Sequence, residues 1–339
     1  MATIKDIAQY TGLALSTISK YLNGGNVKEA NRIKIEKSLQ VLNYSRNEAA
    51  RSLKTNKSMT IGILIPNLRS HFDTTIIAMV EEELTNAGYS VIICAYHKDI
   101  QLERDKLKFL LQRRVDGLII IPSGDHHPEL DEFLDQNHPI VLIDRPVEGV
   151  DVDTIIVDNE QSSRFVTEYL LRKGHRDIGI ICGNETTYTS KMRLSGYLEA
   201  HKRAGVSVDM NLICYGDWSR ESGYQFAKSL VTDHNHMTAL ISCSDDVSIG
   251  VLRALAEMSV KIPSELSIIS YDLLEYAEIF MPAITTIEQP IKDIGRKAAQ
   301  LLLQRLAEKP SDSGNQAPQV ITMKTQFIER LSVSDHSVE

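Results

Sequence analysis

The sequence of 339 residues predicts an α/β protein, with a small helical domain at the N-terminus and a larger domain of two lobes built on parallel sheets. Three observations predict this fold class. The first 58 residues show short amphipathic helical patterns, the remainder alternates short apolar runs with helical stretches, and the length is about twice that of an ordinary domain. The composition, 42% hydrophobic and 24% charged, excludes collagen-like, coiled-coil and largely disordered chains.

The net charge of −8 is divided unevenly along the chain. Residues 1–58 contain ten Lys and Arg against four Asp and Glu, a net charge of +6. The remainder contains 27 basic and 41 acidic residues, a net charge of −14. A basic end on an acidic body is typical of a chain whose end binds nucleic acid.

The sequence favours a cytoplasmic protein. Its N-terminus lacks the apolar core of a signal peptide, and no apolar run approaches the 18 or so residues of a membrane helix. The four cysteines are scattered without CxxC spacing, which favours buried free thiols in a reducing compartment: Cys94, Cys182, Cys214 and Cys243.

Two short helices are predicted at the N-terminus. Thr3 and Asp6 have the spacing of a capping box, and the helix that follows stops at Gly12. A second helix over 15–22 has an apolar side and a polar side, and it ends at 23–25, where two glycines suit a left-handed C-cap.

A third helix is predicted from about Glu29 to Leu42, with Ile33, Ile35, Leu39 and Leu42 facing inward. Two short helices around a Gly-containing turn, backed by a third, fit a helix-turn-helix that places its second helix in the major groove of DNA. A generic three-helix bundle fits this pattern equally well.

The segment 44–56 is basic and contains a helical stretch of about nine residues, which is marginal in water without packing partners. Leu53 lies between basic residues and suits an apolar wedge that unstacks a base step in the minor groove. A plain interdomain linker is the alternative.

From residue 59, continuous apolar runs alternate with helical stretches, which indicates parallel sheets covered on both faces. The runs cover 61–66, 91–95, 117–121, 140–144, 178–182, 239–243 and 266–270. Ligands bind such sheets outside the carboxyl ends of the strands. Polar residues just past strand ends are therefore candidate site residues: Asp144-Arg145, Asp245-Asp246 and Asp272.

Patterns that would indicate an enzyme or a metalloprotein are weak. The sequence contains no GxSxG, GxxxxGK[ST] or strand-associated GxGxxG motif, so no enzyme and no cofactor are predicted. His126-His127 and His234-Asn235-His236 lack the spacing of a helical pair with a third ligand. We expect solvated loop histidines and no metal.

The order and spacing of the N-terminal motifs resemble the headpiece of the lactose-repressor (LacI) family of bacterial transcriptional regulators. The matching stretches are Thr3-Ile4-Lys5-Asp6-Ile7-Ala8, Thr17-Ile18-Ser19-Lys20, Leu22-Asn23-Gly24, Leu42-Asn43-Tyr44, Asn47, Ala49-Ala50-Arg51-Ser52-Leu53 and Thr55.

The resemblance implies DNA contacts at Thr3, Leu15, Ser16, Thr17, Lys20, Asn23, Asn47, Ala50, Leu53 and Lys54. Leu15 and Ser16 occupy the family's variable base-reading positions, Thr17 and Asn23 contact the DNA backbone, and Leu53 is the minor-groove wedge. Two positions depart from the family. Ala14 and Lys28 stand where Ser or Thr usually caps the second and third helices, at an expected cost of about 1 kcal/mol for the former.

The body resembles the family's effector domain, which is similar to periplasmic sugar-binding proteins. The matching motifs are Val115-Asp116-Gly117, Ile143-Asp144-Arg145-Pro146, Gly174-His175-Arg176, Arg193-Leu194-Ser195-Gly196-Tyr197, Ile262-Pro263, Ile284-Thr285-Thr286-Ile287 and Gln289-Pro290. The resemblance extends from Met1 to about Leu331.

The resemblance implies effector contacts at Phe72, Asp73, Asp144, Arg193, Trp218, Ser244 and Asp272. Arg193 would grip the ligand, with a structural ion pair as the alternative, and Trp218 would stack on a sugar ring, with a plain core Trp as the alternative. Asp73, Ser244 and Leu273 depart from the family's usual residues. A pocket with these carboxylates and an arginine favours a sugar, polyol or amine-bearing effector over a flat purine.

The predicted domains are a helix-turn-helix headpiece (1–45), a hinge helix or linker (46–58), an effector-binding and dimerisation domain (59–332) and a frayed tail (333–339). Lobe 1 covers about 59–159 and 289–317, and lobe 2 covers about 160–288 and 318–332. We expect a homodimer or larger oligomer, acting as a repressor on a pseudo-palindromic operator under control of a small-molecule effector. The alternatives are a regulator of the same family controlled by a protein partner, and a sugar-binding protein.

Overall fold

The computed structural model describes residues 2–22, 24–44, 57–124, 127–273, 276–308 and 317–336. The chain divides into two compact units, Met1–Ser58 and Met59–Glu339. All but the last two residues of the predicted hinge, 46–58, lie outside the described residues. None of the described helices is long and apolar enough to cross a membrane.

The N-terminal unit contains α1 (Ile4–Thr11), α2 (Leu15–Leu22) and α3 (Glu29–Val41). The predicted capping box is present, since the Thr3 hydroxyl accepts a hydrogen bond from the Asp6 amide and the Asp6 carboxylate accepts one from the Thr3 amide. Gly12 ends α1 in the left-handed conformation, with φ of 71°. The core of this unit consists of fully buried isoleucines on the three helices: Ile7, Ile18 and Ile35.

The predicted inward face of α3 is wrong at Ile33, whose side chain is 55% exposed. Because an α-helix turns by about 100° per residue, Ile33 lies on the opposite side from Ile35, two residues later. The position three residues after Ile35 is buried instead. It is occupied by Ser38, whose hydroxyl donates to the Ile35 carbonyl at 2.6 Å.

Lobe 1 of the larger unit is built on a six-stranded, fully parallel sheet with the strand order β11-β5-β4-β3-β1-β2. The strands are β1 (Thr60–Ile65), β2 (Ser90–Ala95), β3 (Gly117–Ile120), β4 (Ile140–Ile143), β5 (Asp153–Val157) and β11 (Val320–Met323). The lobe's helices are α4 (His71–Asn86), α5 (Ile100–Gln112), α6 (Glu129–Asp135) and α11 (Ile291–Ala307). Side chains alternating along β1 pack against α4 and α11 on one face and against α5 on the other.

Lobe 2 has a second six-stranded sheet with the order β12-β10-β9-β8-β6-β7, in which only β12 is antiparallel. The strands are β6 (Ile178–Cys182), β7 (Ile213–Tyr215), β8 (Ala239–Ser242), β9 (Ser267–Tyr271), β10 (Thr285–Glu288) and β12 (Gln326–Ile328). Helices α7 (Asn159–Arg172) and α8 (Tyr188–Ala204) cover one face, and α9 (Arg220–Asp233) and α10 (Asp245–Glu257) cover the other.

The predicted boundary of lobe 2 is wrong at 318–323, because β11 pairs with β5 in the sheet of lobe 1. The chain therefore crosses between the lobes near Asp158, Gln289 and Lys324. Two of these crossings are bonded to each other. The Asp158 amide donates to the Met323 carbonyl at 3.1 Å, and the Asp158 carboxylate accepts from the Thr325 amide at 2.9 Å.

The predicted frayed tail is attached to lobe 2 as far as residue 336. The Ser334 amide donates to the Ser267 hydroxyl at 3.0 Å, and the His336 ring stacks on His175 with 5.2 Å between ring centroids. Local sequence patterns cannot predict these contacts, because they join residues far apart in the chain. Residues 337–339 lie outside the described part.

Candidate functional site

A cavity of about 670 Å³ lies between the two lobes of the larger unit, outside the carboxyl ends of the strands. Its volume falls within the usual range for small-molecule sites, about 300–1,000 Å³. Among its lining residues are all seven predicted effector contacts: Phe72, Asp73, Asp144, Arg193, Trp218, Ser244 and Asp272. Residues separated by up to two hundred positions are thus brought to one cleft by the two parallel sheets.

The first turn of α4 positions Phe72 and Asp73. Ser70 caps this helix, and its hydroxyl accepts from the Asp73 amide at 3.2 Å. The Asp73 side chain is buried, and its carboxylate accepts from the Asn67 amide at 3.1 Å. Burial raises the pKa of Asp73 to about 7, and the nearby Asp144 adds to the rise. Asp73 is thus a carboxyl group that changes charge near neutral pH.

Asp144 and Asp272 each leave a strand in a left-handed conformation, with φ of 73° and 54°. Asp144 accepts a hydrogen bond from Arg145 at 2.7 Å. Asp272 is buried, and its two carboxylate oxygens accept from the Gln289 amide, at 2.8 Å, and from the Gln289 side chain. Burial raises the pKa of Asp272, and the Arg193 guanidinium opposes that rise. Both aspartates are therefore held in fixed orientations at the cleft.

Arg193, on α8, is buried at the base of the cleft. Its Nε donates to the Asn159 side chain at 2.8 Å, Nη1 donates to the Cys243 carbonyl, and the guanidinium lies 3.9 Å from the centroid of the Tyr271 ring. Among the described residues, the groups to which Arg193 is hydrogen-bonded are neutral. Arg193 therefore forms no direct ion pair with the described residues, although its charge acts on the nearby Asp272 carboxyl group.

Trp218 packs closely against the end of β6. A Cβ atom at Gly183 would lie 1.7 Å from the indole ring, so only glycine fits there. The indole Nε1 is buried and has no hydrogen-bond partner among the described residues, and the same holds for Gln289 Oε1. Two residues of the cleft wall thus carry a buried donor and a buried acceptor without a partner among the described residues, although buried polar atoms are nearly always bonded.

Three of the four residues that bridge the two lobes across the cleft carry no sequence signal that predicted them: Thr189, Lys98 and Asp217. The Thr189 hydroxyl of lobe 2 donates to the Asp144 carboxylate of lobe 1 at 3.1 Å, and Lys98 of lobe 1 donates to the Asp217 carbonyl of lobe 2. Lys98 and Asp217 lie in loops and Thr189 lies at the start of α8, and that placement is the only feature of the sequence that could have pointed to them. Asp245, which its strand-end position did indicate, lines the same cleft, and burial raises its pKa to about 6.

The predicted DNA contacts that the structure describes are Thr3, Leu15, Ser16, Thr17 and Lys20. Leu15, Ser16 and Lys20 are exposed on α2, and Thr17 is half-buried. The Thr3 hydroxyl is already engaged by Asp6 in the capping box. The other predicted contacts, Asn23, Asn47, Ala50, Leu53 and Lys54, lie outside the described residues.

The expectation of solvated loop histidines is wrong for His127, whose side chain is 3% exposed. It lies 3.8 Å from the carboxylate of Glu103, a buried side chain of α5 that accepts a hydrogen bond from the Ser123 amide at 3.0 Å. Burial raises the pKa of Glu103 to about 7. The loop is folded onto the lobe, which the spacing of two adjacent histidines cannot reveal. His126 lies outside the described residues.

A helix-turn-helix unit joined to a two-lobed domain with a polar cleft defines a DNA-binding transcriptional regulator that responds to a small molecule. Residues 3–47 match the family model of bacterial regulatory proteins, lacI family, and residues 167–333 match that of a periplasmic binding protein-like domain. The chain is 34% identical to the HTH-type transcriptional repressor PurR of Pectobacterium atrosepticum, over 99% of this chain and 98% of the relative. The PurR of Vibrio atlanticus is 32% identical over 98% and 99% of the two chains. The protein belongs to the lacI family.

Solved structures support the same fold. The lac repressor dimer bound to operator and the anti-inducer ONPF superposes with a TM-score of 0.85 at 24% identity, over 98% of this chain and 99% of the other. The CelR–cellobiose complex superposes at 0.72 with 25% identity, over 98% and 100%. A LacI family regulator from Enterococcus faecium with bound ribose superposes at 0.72 with 25% identity, over 81% and 99%. The fold class and the regulatory function predicted from the sequence are confirmed, and these relatives are repressors and regulators rather than enzymes.

Proposed function

We propose that this protein is a cytoplasmic repressor whose affinity for a pseudo-palindromic operator changes when a sugar, a polyol or an amine-bearing metabolite binds between its lobes. One observation carries the proposal: seven side chains named from the sequence line a single cleft of ligand size. Binding can change operator affinity only if the ligand has different affinities for two arrangements of the lobes, and the side chains that bridge the cleft supply contacts that depend on that arrangement.

The chemistry of the cleft supports a hydroxyl-rich effector. A sugar hydroxyl both donates and accepts, so it suits the unpartnered Trp218 Nε1 and Gln289 Oε1, while its ring suits the Trp218 face. Asp73 and Asp245 supply carboxylates that accept from hydroxyl or ammonium groups. The solved regulators with bound ribose and cellobiose are consistent with this class of ligand.

For the DNA contacts we propose that α2 enters the major groove. Its exposed Leu15 suits a thymine methyl group, and its exposed Ser16 suits a base edge or phosphate. Lys20, Thr17 and Thr3 would contact the backbone of the DNA. Asn23, Asn47, Ala50, Leu53 and Lys54 complete the proposed interface, with Leu53 as the minor-groove wedge.

An exposed apolar loop supports a homodimer. Tyr276, Ile279 and Met281 are 54%, 71% and 100% exposed, and such a concentration of large apolar side chains is typical of an interface. A two-fold dimer would present two copies of α2 to the half-sites of a palindrome. We expect Ile279→Asp to shift the full chain toward monomer in analytical ultracentrifugation, while Leu68→Asp, at an exposed apolar residue outside this loop, leaves the mass unchanged. An Ile279→Asp chain that remains dimeric would place the interface elsewhere.

The decisive experiment combines two measurements on the full chain. A mobility-shift assay on DNA upstream of the coding sequence should give a specific complex that competitor DNA does not remove. A thermal-shift screen of sugars, polyols, amines and purines should identify a stabilising ligand, and that ligand should change the mobility shift. Absence of a specific complex at low salt would overturn the DNA-binding role, and stabilisation by purines alone would overturn the effector class.

A narrower test addresses the wedge. Leu53→Ala should weaken specific operator binding by roughly tenfold or more, because the energy of an inserted apolar side chain is lost. The salt-dependent binding to non-specific DNA should be unchanged, because it rests on phosphate contacts. Leu68→Ala, in the larger unit, is the control. Unchanged specific affinity in Leu53→Ala would remove the wedge from the proposal.

A further inference from the structure

Three potential metal ligands converge at one end of lobe 2, at the edge of its sheet opposite the cleft. Asp209, His234 and His236 each offer one ligand atom, and these atoms all lie within 4.8 Å of one another. Asp209 precedes β7, and the two histidines precede β8. Because β7 and β8 both pair in parallel with β6, their amino ends lie at the same edge of the sheet, away from the cleft at the carboxyl ends.

The distance between Asp209 and His236 fits one small cation. Asp209 Oδ2 and His236 Nε2 are 3.5 Å apart. Two ligands at about 2.0–2.2 Å from one tetrahedral ion are separated by about 3.3–3.6 Å. The rings of His234 and His236 are steeply inclined, at 80°, with their centroids 5.8 Å apart, and one nitrogen of each ring lies within 4.8 Å of the other and of an Asp209 carboxylate oxygen.

The backbone and a neighbouring side chain hold the three ligands in place. The turn 234–237 is closed by a hydrogen bond of 3.0 Å from the Met237 amide to the His234 carbonyl, which fixes the two histidines relative to each other. Asp209 Oδ1 accepts from both the amide and the side chain of Asn211, each at 2.9 Å. That arrangement occupies one carboxylate oxygen and leaves Oδ2 for a metal. Such outer hydrogen bonds are typical of metal ligands.

We infer that Asp209, His234 and His236 form a site for a divalent transition cation, Zn²⁺ in the first instance. Two imidazoles and one carboxylate suit Zn²⁺, Ni²⁺ and Cu²⁺ rather than Ca²⁺ or Mg²⁺, which prefer all-oxygen sites. Three protein ligands leave at least one position for water. The sequence analysis found no third ligand for the histidine pair because Asp209 lies 25 residues before His234 in the chain.

A bound cation would join the segment before β7 to the turn before β8. Strand β7 is the edge strand of the sheet and is only three residues long, so it is the strand that gains most from such a link. The site is separate from the effector cleft, because none of its three residues lines that cavity.

The test is a calorimetric titration of Zn²⁺ into the untagged full chain, stripped with EDTA and kept in a reductant that does not bind metals. We expect one Zn²⁺ per chain. Asp209→Asn and His236→Asn should each weaken the affinity by more than about tenfold, since each removes one of three ligands. Both side chains are partly exposed, and circular dichroism and the Tm in EDTA should match those of the unchanged chain.

His71→Asn provides the matched control, because this exposed histidine lies on lobe 1, away from the cluster. Its affinity for Zn²⁺ should equal that of the unchanged chain. Substitution by Co²⁺ should give visible absorption bands of the intensity typical of a four- or five-coordinate ion, and Zn²⁺ should remove them. No saturable binding, or binding that Asp209→Asn and His236→Asn leave intact, would overturn the inference.

Discussion

At the scale of single residues, the cleft is defined by carboxyl groups that burial makes hard to ionise. The pKa of Asp73 is raised to about 7 and that of Asp245 to about 6, in each case mainly by loss of water. Such groups are destabilised when charged and unpaired, and a ligand that donates hydrogen bonds compensates for the lost water. The burial of these carboxyl groups therefore favours a ligand rich in hydroxyl or ammonium donors.

The raised pKa values predict how stability varies with pH. Between a carboxyl's ordinary pKa and its raised one, the native state binds more protons than the unfolded state, so the free energy of unfolding falls as pH rises through that window. These carboxyl groups contribute a fall in the free energy of unfolding as pH rises from about 4 to 7. Asp73→Asn should remove part of this fall, so that its stabilisation relative to the unchanged chain is larger at pH 8 than at pH 5 by roughly 1–3 kcal/mol.

Differential scanning fluorimetry at both pH values measures this effect. Asp246→Asn is the control, because Asp246 is paired with Arg220 at 2.7 Å and lies at the rim of the same cleft. An Asp73→Asn chain whose Tm differs from that of the unchanged chain by equal amounts at pH 5 and pH 8 would contradict a raised Asp73 pKa.

At the scale of secondary-structure elements, α2 begins without a side-chain cap, although its exposed face carries the proposed base contacts. The amides of Thr17 and Ile18 both donate to the Ala14 carbonyl, at 2.9 and 3.3 Å, and alanine offers no oxygen to the first turn. The N-terminus of α3 is likewise uncapped, since Lys28 makes no side-chain cap. Helices α2 and α3 therefore depend on the small isoleucine core rather than on side-chain N-caps, whereas α1 has its capping box.

We expect Ala14→Ser to stabilise the first turn of α2 by about 1 kcal/mol, since a serine hydroxyl at that position accepts from the helix amides. Hydrogen–deuterium exchange of the full chain should show roughly fivefold slower exchange of the α2 amides, the factor that corresponds to that energy. Ala30→Ser, at an exposed position in α3, is the control, and it should change the opening free energy of the α2 amides by less than about 0.5 kcal/mol. Equal exchange in both variants would mean that α2 is already held by tertiary contacts alone.

At the scale of the larger unit, the two lobes are joined by three chain crossings and by hydrogen bonds across the cleft. The crossing at Asp158 is bonded to the one at Met323 and Thr325, so two of the three connections act as one hinge. On the far side of the hinge, Thr189 bonds to Asp144, and Lys98 bonds to the Asp217 carbonyl. A ligand in the cleft would contact both lobes, so its binding energy would depend on how the lobes are positioned relative to each other.

Thr189→Val removes the hydroxyl that bridges the lobes while keeping the side-chain shape. The arrangement of the lobes in which Thr189 bonds to Asp144 should lose about 1–2 kcal/mol of stability, because the acceptor of this hydrogen bond is a carboxylate. We expect the effector found in the thermal-shift screen to bind roughly 5- to 30-fold more weakly in calorimetry. Thr187→Val is the matched control, because the Thr187 hydroxyl bonds only within lobe 2, to the Asn184 carbonyl and Ser190. Equal losses in the two variants would show that Thr189 acts through lobe 2 alone.

The sequence predicted the strands that carry the site better than the strands at the sheet edges. All seven apolar runs are strands, as expected for parallel sheets covered by helices on both faces. Strands β5, β7, β10, β11 and β12 were not marked by such runs. Strands β7, β11 and β12 lie at sheet edges, as the exposed pattern of β11 shows, and the interior strands β5 and β10 contain polar residues. The lobe assignment of 318–323 failed for the same reason.

Charge distribution, local periodicity and strand-end position by themselves predicted the basic helical unit, the parallel sheets, and the placement of Asp144, Asp245 and Asp272 at a cleft, while the order and spacing of the motifs indicated the family. These features depend on neighbours within a few residues or on the direction of a strand. Only the tertiary structure decided which groups meet across large separations. The packing of whole lobes and sheets brings together groups that are far apart in the chain, and short-range sequence patterns carry no information about that packing. These groups are Thr189 with Asp144, Lys98 with Asp217, and Asp209 with the two histidines.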